Sequence, residues 1–116
     1  EFTKDKELSL KGDCIIGVKA DFELSKLKEF IKKSGNKKIT ITIETSDKKI
    51  RETITTELNP DFNDDNELVI RKADFLSGRT LATNADKAAF ELKKGLISFL
   101  KEKKNKIAVI IENKKL

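Results

Sequence analysis

Two segments in which apolar and polar residues alternate constrain the fold of this chain most strongly. Residues 39–45 read Ile-Thr-Ile-Thr-Ile-Glu-Thr, and residues 50–58, after the polar residues 46–49, keep the same period with Ile50, Ile54 and Leu58 on one face. Successive side chains of a β-strand point to opposite faces, so each segment presents one apolar face. The two segments therefore predict an antiparallel β-hairpin with one buried and one solvated face.

Apolar residues at helical spacing predict two helices elsewhere. The first follows a cap at Asp21 and ends at residues 34–36, and the second follows a cap at Asn84 and extends over residues 85–100. Further strands are predicted in a short hairpin over residues 3–10 and in residues 14–19, 68–71 and 107–111. The last of these is apolar throughout, which predicts a central position in its sheet, and residues 73–83 are predicted to be irregular.

This order of elements predicts an α+β fold, with a mostly antiparallel sheet or sandwich of six to seven strands and two helices. The 116 residues suffice for one domain, residues 1–116, with its own core. The sequence contains no Met, and because translation begins with one, we expect the natural N-terminus to lie upstream of Glu1.

The cysteine and histidine content restricts both compartment and chemistry. A single Cys excludes an intrachain disulfide, and no apolar run is long enough to cross a membrane, so we expect a cytoplasmic protein. With no His and one Cys, the chain cannot build a usual zinc site or a Ser-His-Asp triad from its own residues. We predict neither a metal nor a cofactor. The many Lys, Glu and Ile residues resemble the composition of hyperthermophile proteins.

The segment 12–18, Gly-Asp-Cys-Ile-Ile-Gly-Val, is a buried-strand pattern with a glycine at each end. A carboxylate beside a thiol raises the thiol pKa, so we interpret Cys14 as structural instead of reactive. Asp13 leads into an apolar strand and needs a partner if it is covered, which Arg79 or Lys19 would supply.

The segment 71–80, Arg-Lys-Ala-Asp-Phe-Leu-Ser-Gly-Arg-Thr, combines cations, hydroxyls and a glycine. Arginine forks bind phosphate or carboxylate groups, so the segment is a candidate anion site that includes Asp74, Arg79 and Thr80. The alternative is an ordinary loop in which an Arg pairs with Asp74. The segment lacks the spacing of a Walker loop or a dinucleotide-binding motif.

Two charged regions have simpler interpretations. Residues 61–67 place oxygen atoms as a calcium loop does, but Lys72 occupies the position of the bidentate Glu, which favours a solvated turn without metal. Residues 87–116 hold 9 of the 25 basic side chains and only 3 of the 20 acidic ones. Of these, Lys101, Lys103 and Lys104 are a weak candidate for nucleic-acid contact, against the alternative of a solvated helix end.

Phe90 and Ile97 flank the apolar stripe of the second predicted helix. An apolar arc this wide indicates deep burial or a face for homo-oligomerisation.

The segments 12–18, 71–75, 79–82 and 85–89 together resemble an uncharacterised archaeal domain-of-unknown-function family of small proteins. The resemblance covers essentially the whole chain. It implies an archaeal, cytosolic protein with a β-rich, sandwich-type fold bearing helices, and it implies no activity.

Three functions remain open from the sequence. The first is a binding module for a phosphate-bearing ligand such as RNA or a nucleotide, with Asp13, Asp74, Arg79 and Thr80 at the site. The second is an enzyme that uses Asp13 or Asp74 as general acid or base and Arg79 as an anion clamp. The third is a structural or assembly protein.

Overall fold

The computed structural model describes residues 1–5, 17, 19–34, 37–87, 91–102 and 105–113. The described elements, in chain order, are β1 (Phe2–Thr3), α1 (Leu24–Lys33), β2 (Lys38–Thr45), β3 (Arg51–Leu58), β4 (Glu67–Ile70), β5 (Thr80–Thr83), α2 (Lys94–Leu100) and β6 (Ile107–Asn113). Within these residues, the six strands and two helices confirm the predicted α+β class.

The described strands form one mixed sheet in the order β1-β4-β5-β3-β2-β6. The pairing of β4 with β5 is parallel, and the other four pairings are antiparallel. The β2–β3 hairpin is the one that the alternation predicts, with Ile41 opposite Ile54. One face of this hairpin carries the buried core, because the isoleucines of β2 and the apolar residues of β3 point the same way.

The hairpin turn is held by Asp47 and by the buried Thr45. The Thr45 hydroxyl donates a hydrogen bond to Asp47 Oδ1 at 2.6 Å, and the backbone N–H of Lys49 donates to the same oxygen at 3.0 Å. These two bonds, the Thr45 hydroxyl first, lower the pKa of Asp47 below its ordinary value.

The prediction of a central final strand is wrong for the described sheet. β6 pairs with β2 and stands last in the strand order. Its residues alternate between half-buried and exposed, so the apolar run covers the core with one face and leaves Ile110 on the other, 37% exposed. A continuous apolar run is therefore compatible with an edge strand whose second face is open.

The predicted start of the second helix is also wrong. Asn84 has a left-handed φ of 51° instead of a capping conformation, and α2 begins ten residues later, at Lys94. Asp86 instead makes two hydrogen bonds to the backbone of Thr55, one from its amide and one to its carboxylate, each 3.0 Å long. These two bonds pair Asp86 with β3 in place of a helical turn, so tertiary contacts override the local cap signal.

Two smaller differences concern boundaries. Helix α1 begins at Leu24 with Glu23 as its N-cap residue, so Asp21 lies outside the cap. Residues 80–83, predicted to be irregular, form β5, all four residues of which are buried. The described helices include none that is long and apolar enough to cross a membrane.

Most of the 12–18 motif, including Asp13 and Cys14, lies outside the described residues, but Gly17 is described. Gly17 forms an isolated parallel β-bridge with Phe2, and its carbonyl accepts a 3.0 Å hydrogen bond from the backbone N–H of Thr3. A Cβ atom at Gly17 would lie 2.8 Å from Cδ1 of Phe2, whose ring is buried in the core. The glycine is thus required by the close approach of an aromatic ring.

We therefore expect Gly17→Ala to destabilise the protein by about 1–3 kcal/mol, because the buried ring must move to admit the methyl group. Urea denaturation measures this change in the free energy of unfolding. Gly78→Ala is the matched control, because its Cβ would meet no atom closer than 3.7 Å. Equal midpoints for the two variants would contradict this packing role.

Candidate functional site

The parallel pairing of β4 and β5 brings the two ends of the 71–80 segment together. The backbone N–H of Arg71 donates to the carbonyl of Ala82, the third residue of β5, at 2.9 Å, which places Arg71 beside that strand. Asn59 is 2% exposed and holds the loop in place. Its Nδ2 donates hydrogen bonds to the carbonyl oxygens of Thr80 at 2.8 Å and Ser77 at 3.3 Å. The loop is therefore anchored by a buried amide at its end.

Arg71 is held by side chains of its own loop. Its Nε donates a 2.9 Å hydrogen bond to the hydroxyl of Thr80, which is fully buried, and the Ser77 hydroxyl lies 2.8 Å from the same oxygen. The guanidinium carbon lies 4.9 Å from the ring centroid of Phe75, a cation–π distance. These contacts fix the plane of the guanidinium while using only one of its three nitrogen atoms.

The two terminal nitrogens of Arg71 make no hydrogen bond or ion pair with any described residue. Phe75 beside it is 60% exposed and Leu76 is 57% exposed, and both are among the three large apolar side chains of the described residues that stand out into solvent. The loop therefore presents an oriented guanidinium fork next to an exposed aromatic ring.

Arg79, the fork that the sequence favours, has carboxylate partners. Its Nη1 lies 2.9 Å from Glu67 Oε2 and 3.7 Å from Glu1 Oε1. Asp13 lies outside the described residues, so its pairing with Arg79 stays a prediction. Asp74 is exposed and makes no hydrogen bond or ion pair with another described residue, so the described residues do not form the pairing of an Arg with Asp74 that an ordinary loop predicts.

The remaining residues predicted for a binding or assembly role are Lys101, Lys103, Lys104, Phe90 and Ile97. Lys101 is exposed immediately after α2, and Lys103 and Lys104 lie outside the described residues. Ile97 is half-buried and packs against the core, while Phe90 lies outside the described residues, so homo-oligomerisation through the two stays a prediction.

Residues 61–67 contain a turn that the side chain of Asp64 closes. Its Oδ1 accepts hydrogen bonds from the backbone N–H groups of Asn66 at 2.8 Å and Glu67 at 2.7 Å. Among the described residues, no group of three carboxylate or sulfur side chains is arranged to hold a metal ion.

A second polar cluster, which the sequence analysis missed, lies at the start of β3. Glu52 is 2% exposed, and its Oε1 accepts a 2.6 Å hydrogen bond from the ammonium of Lys87. The Nζ of Lys93 lies 4.0 Å from Oε2, which has no hydrogen-bond partner among the described residues. Lys87 also donates to the carbonyl of Thr53 at 3.2 Å and Lys93 to that of Arg51 at 2.9 Å.

This Glu52 cluster stabilises the start of β3, since both ammonium groups donate to backbone carbonyls there and the described strand β5 pairs only with Glu57 and Leu58 at the other end. The hydrogen bond to Glu52 raises the pKa of Lys87 above its ordinary value, against the opposing effect of burial. A signal for the cluster was present in the sequence, because position 52 falls on the apolar face of an alternating strand, where a carboxylate must have a partner.

Comparisons with known proteins support the family resemblance. Residues 1–114 match a family described as a domain of unknown function, DUF371. The chain is also 38% identical over 115 residues to an uncharacterised protein of the archaeon Methanocaldococcus jannaschii, an alignment that covers 96% of this chain and 84% of the relative.

Proposed function

The chain belongs to the DUF371 family, and we propose that it is a binding module for a phosphate-bearing ligand such as RNA or a nucleotide. The proposal is based on the hydrogen bonding of the Arg71 guanidinium. Its Nε is engaged by the buried Thr80 hydroxyl, and its two terminal nitrogens meet no described partner.

A guanidinium held in this way is better suited to binding phosphate than the single ammonium group of a lysine would be. A guanidinium presents parallel N–H groups that match two phosphate oxygens, and fixing its plane in advance reduces the entropy lost on binding. The Ser77 hydroxyl lies 2.8 Å from the Thr80 hydroxyl that Arg71 Nε contacts, and when Thr80 donates to it, its own proton is available for a phosphate oxygen. In this proposal Thr80 is a positioning residue and Arg71 contacts the ligand.

The exposed ring of Phe75 supports a ligand that carries a base as well as a phosphate. Arg71 occupies the space over the ring, and the 60% exposure of Phe75 leaves area on which a base can stack. Stacking on aromatic side chains is a common means of holding unpaired bases of RNA. For a longer RNA, the basic residues Lys101, Lys103 and Lys104 are proposed as additional, weaker phosphate contacts.

The proposal is tested by comparing the wild-type protein with Arg71→Lys in titrations with a single-stranded RNA decamer at low salt. Lysine keeps the charge but loses the fork, the bond to Thr80 and the stacking on Phe75. We expect at least a tenfold weaker affinity for Arg71→Lys. Arg51→Lys, which makes the same change at an exposed position of β3, is the control and should bind within about twofold of wild type.

Inorganic phosphate and adenosine 5′-monophosphate, titrated in parallel, distinguish recognition of phosphate alone, of a mononucleotide and of a polymer. Equal affinities of the two arginine variants for all three probes would contradict a role for Arg71. Absence of binding by the wild-type protein to any of them would contradict the proposed function itself.

A further inference from the structure

A groove with a volume of about 510 Å³ lies between helix α1 and residues 60–63. We infer that this groove is a separate binding site for a nucleoside monophosphate. The ligand's phosphate would lie at Lys28 and Lys32, and its ring body would lie on the apolar floor. This inference rests on residues that the Arg71 site does not use, so it does not depend on the proposed function.

The lysines of α1 divide into two pairs. Lys26 lies 3.6 Å from Glu23, and Lys33 lies 2.6 Å from Glu29. The other two, Lys28 and Lys32, make no ion pair or hydrogen bond with any described residue, and these two line the groove. Side chains four residues apart share one face of a helix, so the two unpaired ammonium groups are neighbours.

Two like charges at this spacing repel each other and destabilise a helix slightly. A doubly charged phosphate placed between them relieves the repulsion and accepts hydrogen bonds from both. The groove thus has charge complementarity to a phosphate at its α1 wall.

The opposite wall selects against a bare anion. The carboxylate of Asp61 and the side-chain amide of Asn63 have no partner among the described residues, while their backbone N–H groups are fixed by bonds to Asn59 Oδ1 at 3.0 Å and to the carbonyl of Gly78 at 2.7 Å. An ionised carboxylate only accepts hydrogen bonds, so the ligand must present donors there. Sugar hydroxyls and the amino group of a base meet this requirement, and a fatty acid does not.

The floor and the size of the groove favour a ring-containing body. Ile31 is half-buried in the floor, and Phe62 beside it is 2% exposed. Small-molecule sites typically combine an apolar lining with a few convergent polar groups in about 300–1,000 Å³. A nucleoside fits this combination, with its phosphate at the cationic wall and its donors at Asp61 and Asn63.

The test uses the full chain carrying Arg71→Lys, which removes the proposed site in the 71–80 loop and leaves the groove intact. Calorimetric titration with adenosine 5′-monophosphate is expected to show one binding event. Adding Lys28→Ala and Lys32→Ala should weaken this binding at least tenfold. The matched control adds Lys26→Ala and Lys33→Ala, which removes the same charge from the same helix and should change the affinity less than threefold.

Asp61→Ala gives an effect of opposite sign for two probes. It should weaken adenosine monophosphate severalfold because it removes an acceptor, and it should strengthen inorganic phosphate because it removes a repelling charge. Equal losses in the two lysine pairs would show nonspecific attraction and overturn the inference, as would absence of nucleotide binding in the Arg71→Lys background. An RNA affinity that is unchanged in Arg71→Lys, together with an intact groove event, would instead contradict the proposed function alone.

Discussion

Replacing Lys87 by Met is expected to lower the free energy of unfolding by about 3 kcal/mol, a large effect for one substitution at the protein surface. Methionine preserves the length of the side chain but leaves the Glu52 carboxylate, 2% exposed, without its 2.6 Å partner. Lys93, 4.0 Å from the other carboxylate oxygen, compensates in part, which places the expected loss at the low end of the range for broken buried pairs. Urea denaturation at neutral pH measures the change.

Glu52→Gln should cost less than Lys87→Met. The Lys87 side chain is 35% exposed, so its ammonium can turn to water when the carboxylate is gone, whereas the buried carboxylate has no such escape. The double variant should be less destabilised than the sum of the two single variants, because the second substitution removes a group that the first has left unpaired. Strict additivity of the three values would contradict the pairing.

The contribution of the Glu52–Lys87 pair to the stability of the protein also depends on pH, and its direction follows from the pKa of Lys87. The Glu52 contact raises the pKa of Lys87 in the folded protein above that of the unfolded chain. The contribution of the pair is therefore complete below about pH 10.4, the ordinary lysine value, and declines as the pH rises through the folded pKa. The difference in stability between wild type and Lys87→Met should shrink over this range, and a difference that grows would refute the assignment.

Thr80→Val is expected to reduce stability by about 2 kcal/mol and, in addition, to weaken RNA binding roughly tenfold. Valine matches threonine in shape but lacks the hydroxyl, so it leaves both Arg71 Nε and the Ser77 hydroxyl without their buried partner. The guanidinium then loses its fixed orientation, which raises the entropic cost of binding.

Thr80→Ser is the matched control, because it keeps the hydroxyl and should keep most of the affinity. Stability comes from urea denaturation and affinity from the RNA titration. A Thr80→Val protein that is less stable but binds RNA normally would show that Thr80 serves the fold and does not position Arg71.

The sequence predicted the elements whose signal is local. The β2–β3 hairpin follows from the alternation of apolar and polar residues, and α1 follows from a clear apolar stripe. The start of α2 and the edge position of β6 were mispredicted because distant pairings decide them, such as the hydrogen bonds of Asp86 to Thr55.

The candidate site divides in the same way. The 71–80 segment was recognisable from its residue types, but which arginine is free to bind a ligand depends on the placement of Glu67 and Thr80. Glu67 lies in β4 and Thr80 in β5, and the spacing of residues in the sequence does not show which arginine each of them contacts. Glu52 could have been noticed in the sequence, since its strand face is otherwise occupied by Ile54, Thr56 and Leu58, none of which is charged.

Side-chain ¹⁵N nuclear magnetic resonance shows directly whether the terminal nitrogens of Arg71 bind phosphate. The chain has three arginines, so the Nε–H region is simple, and the bond to Thr80 should protect the Arg71 proton from exchange. On titration with the RNA decamer, the Arg71 Nε signal should shift in a saturable way while that of Arg51 does not move. Saturable binding that leaves the Arg71 signal unchanged would contradict the account.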